Sequence, residues 1–177
     1  PHFALADGAV HRLDHGHKHV QAHDGLLAAV PSQDGRSLIT GGEDGKVLAI
    51  SPDGAIETLG EIGRKWVNAV ASGPQGAVAW ASGRTAWVRL ADGKGGGKLR
   101  EFQHPRTAEG IAFAPKGMRI AVARYNGATL HFPAAEGKPA ELEWAGAHTG
   151  VTFSPDGNFL VTTMQENALH GWKLSDG

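Results

Sequence analysis

Histidine is the residue in this chain best suited to chemistry, and its distribution is uneven. Of the ten histidines, six fall before residue 24: His2, His11, His15, His17, His19 and His23. In an extended segment residues i, i+2 and i+4 share a face, so His15, His17 and His19 are expected to point the same way. Three imidazoles on one face suit Zn²⁺, Ni²⁺ or Cu²⁺. A fourth position would fall to water, His11 or a carboxylate such as Asp14. The competing reading is a solvated connector that holds no ion, in which only His23 has a task, the internal packing of the strands after it.

Other candidate chemistry fails on context. Gly93-Lys-Gly-Gly-Gly-Lys98 has the glycine and lysine of a phosphate loop, but Leu99 stands where Ser or Thr should meet Mg²⁺. The stretch also lies between two strand-like runs instead of opening a helix, so it reads as a hairpin tip. No serine sits in a Gly-x-Ser-x-Gly elbow and no paired carboxylates stand out. The chain is therefore expected not to be an enzyme and to need no cofactor, with zinc on the histidines as the alternative.

Composition narrows the partners. Lys+Arg is 17 against 18 for Asp+Glu, so no net field draws the chain to nucleic acid or to a membrane surface. Cysteine is absent, which removes disulfides and thiolate metal sites. No apolar run approaches the roughly 20 residues that cross a bilayer, and a soluble, cytoplasmic protein is expected.

The elements that must position these residues announce themselves by repetition. Pro31-Ser-Gln-Asp-Gly35, Gly73-Pro-Gln-Gly76, Ala114-Pro-Lys-Gly117 and Ser154-Pro-Asp-Gly157 end on glycines spaced by 41, 41 and 40 residues. Each turn is flanked by short apolar or alternating runs, and no segment sustains a helical period. In the third unit Gly110–Ala114, Met118–Ala123, Ala128–Phe132 and Ala140–Trp144 read as four strands, with Asn126-Gly127 as a tight type I′ hairpin. Lone four-stranded meanders bury too little. Stacked around an axis, each covers its neighbours. The expectation is all-β: a β-propeller of four-stranded antiparallel blades.

These units resemble the WD40-repeat family, in a divergent, bacterial-type form. Ala112-Phe-Ala-Pro-Lys-Gly117 and Phe153-Ser-Pro-Asp-Gly157 carry its strand-and-turn pattern. The resemblance implies a hydrogen-bonded set inside each blade: a loop His, a Ser or Thr, an Asp and a Trp. His23, Thr40 and Asp44 fit it in the first full unit, with Ile50 at the Trp place. His104 and Asn126 fit in the third, and Thr162, Glu166 and Trp172 in the fourth, where no His aligns. The family also implies a scaffold for protein–protein interaction.

The resulting plan is a single, partial propeller: 1–22 as a half-blade plus His-rich connector, blades at 23–62, 63–103 and 104–144, and 145–177 as a blade lacking its last strand. Open blade edges would favour self-association. Loops joining blades, and those between second and third strands, share one end of a propeller. There the chain carries Arg64, Lys65, Trp66, Arg84, Pro105, Arg106, Arg124 and Tyr125. Arg, Trp and Tyr are the types enriched at binding hot spots. The expected partner is a protein or acidic peptide held by this basic, aromatic sector.

Overall fold

The computed structural model describes residues 2–13, 16–92 and 97–174. Strands β1 (His2–Ala4), β2 (Ala9–Leu13) and β3 (His17–Gln21) pair antiparallel as a first sheet. A second contains β4 (Leu26–Pro31), β5 (Leu38–Gly42), β6 (Lys46–Ile50) and β7 (Ile56–Glu61). A third contains β8 (Ala69–Ser72), β9 (Val78–Ser82), β10 (Thr85–Ala91) and β11 (Gly97–Gln103). The remainder is one hydrogen-bonded series of β12 (Ala108–Phe113), β13 (Ile120–His131), β14 (Ala140–Phe153), β15 (Phe159–Met164) and β16 (Ala168–Lys173).

Two long strands in this series each do double duty. Residues 120–124 of β13 pair with β12, and residues 125–130 with β14. Arg124 Nε nevertheless donates to Thr129 Oγ1 at 3.0 Å, whereas five residues of straight strand would separate them by about 16 Å. The chain therefore folds back on itself at Asn126 and Gly127, whose φ values are 66° and 130°. β14 pairs with β13 through Ala147 and with β15 from His148 onward. It bends at Gly146, φ 126°, and so leaves a fourth sheet to open a fifth.

The second to fifth sheets stack face to face in chain order. Ile39 and Val47 of the second sheet pack on Val70, Val78 and Trp80 of the third. Ala79 and Val88 of the third meet Ile111, Ile120 and Val122 of the fourth. Ala121, Ala128 and Leu130 of the fourth meet Leu160 of the fifth. This is the radial stacking that a β-propeller requires. The innermost strands approach closely, and a Cβ on Gly110 of β12 would lie 3.0 Å from the Gly150 Cα of β14.

The Ser-x-Asp-Gly turns form as their residues dictate. At both Ser32–Gly35 and Ser154–Gly157 the glycine N–H donates to the serine carbonyl at 2.9 Å, and the serine hydroxyl donates to the turn aspartate. Those bonds, with backbone N–H groups, hold Asp34 and Asp156 below the ordinary carboxyl range. Segment 1–22 differs from the sequence expectation. It supplies three strands, and the His-rich connector is itself β3, pairing His19 with His11 and Val20 with Val10. Polar residues on its exposed face hid that strand, since only Val20 carries an apolar signal.

Candidate functional site

One end of the stack gathers the hairpin between each second and third strand with the connection into the next sheet. The third sheet's connection binds its hairpin through His104 N–H to the Arg84 carbonyl and Ala108 N–H to the Gly83 carbonyl, both at 2.8 Å. The second sheet does the same at Gly45. Gly45 has φ 78°, and a Cβ there would fall 1.7 Å from the Gly63 carbonyl oxygen. Only glycine allows the two loops to touch.

On this rim the fourth sheet bears a groove of about 880 Å³ lined by Pro105, Arg106, Arg124, Tyr125, Asn126, Glu141, Glu143, Trp144 and Ala145. Tyr125 and Trp144 are each 51% exposed. The Trp144 ring is not loose. It stacks on His170 with centroids 3.8 Å apart and planes 15° from parallel, and its carbonyl accepts a hydrogen bond from His148 Nε2 at 2.9 Å. Burial and the nearby His148 hold His170 below the ordinary histidine value.

The structure brings together Arg106, Arg124 and Tyr125 of the sequence-expected sector. Arg124 differs from the exposed cation expected there. It is buried, with Nε donating to Thr129, Nη1 to the Tyr125 carbonyl at 3.1 Å and Nη2 to the Glu141 carboxylate. Desolvation alone would raise Glu141, but its bonds from Arg124 and Thr129 bring it below the ordinary carboxyl value. Arg84 occupies the hairpin beside the His104 connection. Arg64, Lys65 and the 63%-exposed Trp66 lie on the connection after the second sheet, outside the groove.

The internal networks are uneven. His23 Nδ1 donates to Asp44 Oδ1 at 3.0 Å, leaving Nε2 to accept from the Thr40 hydroxyl at 2.8 Å. In the fifth sheet the sequence reading missed the central residue. His148 is fully buried, donates from Nε2 to the Trp144 carbonyl, and so accepts at Nδ1 from Thr162 at 2.7 Å. Its ring packs on Trp172, 5.6 Å between centroids. His148 lies nine residues before Gly157, whereas His23 precedes Gly35 by twelve and His104 precedes Gly117 by thirteen. A search at the regular spacing therefore ends near Trp144.

His104 and Asn126 are not joined. Asn126 Oδ1 accepts from Gly146 N–H at 3.3 Å, and His104 instead meets His131 edge-on, 5.0 Å between centroids. The Nε2 atoms of both buried histidines lack a hydrogen-bond partner.

Of the expected metal ligands, His15 and the neighbouring Asp14 lie outside the described residues, as does most of the Gly93–Lys98 loop. His17 and His19 stand on β3, opposite His11 on β2. Among the described residues no three His, Cys, Asp or Glu side chains form a ready metal-holding group. No helix there is long and apolar enough to cross a membrane.

Comparison with known proteins agrees with this architecture. Residues 15–51 match the WD40 model, the WD domain, G-beta repeat. A chain of the "Crystal Structure of Mitotic Checkpoint Complex" aligns over 99% of this chain with a TM-score of 0.76 and 18% identity, a likeness of fold. The present chain spans 59% of that chain's length. No curated protein matches.

Proposed function

We propose that this chain, which carries a WD40 repeat at residues 15–51 in a stack of β-propeller blades, is a non-enzymatic scaffold that holds a protein partner on one rim. The observation that carries this reading is the groove flanked by Tyr125 and Trp144, two half-exposed aromatic rings beside Arg106. Aromatic and arginine side chains around a concavity are the composition of interaction hot spots.

The charges set the partner chemistry. Arg124 is engaged by Glu141, and Arg106 makes no ion pair with any described residue. Glu143 adds a negative charge to the same wall. A strongly acidic peptide is therefore a poorer fit than a loop placing an aromatic or proline side chain between the rings and a single carboxylate on Arg106.

Affinity capture with quantitative mass spectrometry tests this, comparing the wild type with Tyr125→Ala/Trp144→Ala and with Lys116→Glu at the opposite end. Proteins lost from the groove variant and kept by the control support the reading. An identical set from all three sinks it.

A further inference from the structure

The first sheet carries a feature that the rim groove does not use. Strand alternation puts Phe3, His11 and His19 in one row across β1, β2 and β3, and Leu13 and His17 in the next row on the same face. Val10, on the opposite face, is buried, whereas His17 and His19 are exposed and His11 is half-buried. The three rings lie within one patch: centroids are 5.0 Å apart for His11–His17, 5.4 Å for His11–His19 and 6.1 Å for His17–His19. His11 Nδ1 and His17 Nε2 are 2.7 Å apart, close enough that one must donate a proton to the other.

We propose that His11, His17 and His19 bind one divalent transition ion, Zn²⁺, Cu²⁺ or Ni²⁺, on the outer face of the first sheet. Neutral imidazoles are ligands of choice for these ions. Two rings on one tetrahedral ion, with metal–nitrogen bonds of about 2.0–2.1 Å, hold their centroids about 5 Å apart. The three separations here already match or slightly exceed that figure.

The strands fix this spacing. His17 and His19 are two residues apart on β3, and His11 faces His19 across the ladder. What the unliganded rings lack is convergence: His11 and His17 are 7° from parallel, so their nitrogens do not aim at a common point. Turning the exposed His17 and His19 rings and the half-buried His11 ring about their side-chain torsions supplies this without moving a strand, and the ion replaces the proton shared by His11 and His17. The fourth position stays open to water, and Phe3 and Leu13 stand opposite His11 and His17 in the same two rows.

This site differs from the set suggested by spacing along the chain alone. It takes its third ligand, His11, from the neighbouring strand. It is also independent of the rim groove.

Tag-free protein titrated with Zn²⁺ against a chromophoric chelator, with Cu²⁺ followed by electron paramagnetic resonance, tests the proposal. One ion per chain, three nitrogens in the Cu²⁺ spectrum, and a loss of roughly tenfold or more in affinity for each of His11→Ala, His17→Ala and His19→Ala are expected. His170→Ala should bind as the wild type does. Because the rings lie on the outer face of the sheet, the variants should keep the parent's circular dichroism, and Zn²⁺ should raise Tm in the wild type and in His170→Ala but not in the triple variant. Equal affinity in the triple variant overturns the site. Full affinity in His11→Ala overturns the cross-strand set, even if His17→Ala is weakened.

Discussion

Acid should weaken this protein earlier than its carboxylates can explain, and the largest contribution comes from one buried histidine. His131 is 6% exposed, tilted against Phe102 with centroids 4.3 Å apart and edge-on to His104, with its Nε2 unpartnered. Burial, reinforced by His104, pushes it down to about 4, with Glu141 pulling weakly the other way. Burial also lowers His104. A histidine in the unfolded chain titrates near 6.5. Between these values the unfolded state binds the proton and the folded state refuses it, so stability is complete above 6.5 and is lost as the pH falls toward 4. For His131 the linkage amounts to about 2 kcal/mol between pH 7 and pH 5 and about 3 kcal/mol by pH 4, a sizeable part of a typical domain's 5–15 kcal/mol. Asp34, Asp53 and Asp156 are all held low, so their contributions fade only nearer pH 4 and below. The assay is urea unfolding at pH 7, 6 and 5 for the wild type and His131→Phe, whose ring can keep the Phe102 contact. The wild type should lose about 2 kcal/mol more than the variant over that range. Equal losses would refute the assignment of the proton to His131.

Two further perturbations probe the frame. His148→Ala removes two buried hydrogen bonds and leaves a void beside Trp172, and should cost about 2–4 kcal/mol in chemical denaturation; a loss under about 0.5 kcal/mol would show that the ring is dispensable. Gly45→Ala must move the Gly63 carbonyl as well as hold a left-handed backbone. Gly35→Ala meets nothing within 4 Å and bears only the backbone strain. Thermal melts should therefore show a clearly larger fall in Tm for Gly45→Ala, with Gly35→Ala costing about 1 kcal/mol; the reverse order would contradict the contact.

Turns and strands were legible because their chemistry is local. The Ser-x-Asp-Gly turns close through their own side chains, and Asn126-Gly127 reverses the chain through its own backbone preference. His23, Thr40 and Asp44 could be read together because their places in the repeat are regular. What escaped the sequence depends on distant partners. Arg124 looks like a rim cation until Glu141, seventeen residues on, is seen to neutralise it. His148 sits off the repeat's spacing because β14 bends at Gly146 and delivers it to Thr162 by a shorter path. β3 was hidden because the residues on its outer face are histidines, whose apolar pattern is nil even though their register with β2 is regular.

The clamp on Trp144 also bears on the thermodynamics of the groove. An exposed indole ordinarily samples several rotamers, and fixing such a side chain on association costs about 0.5–1.5 kcal/mol. Here the ring rests on His170, and the backbone beneath it is tied to His148. Folding has therefore already removed this freedom. A loop arriving between Tyr125 and Trp144 would meet one wall set before contact, so the entropy of ordering would fall on Tyr125 and on the visitor. Discrimination at this site would accordingly come from the fit against a stationary indole.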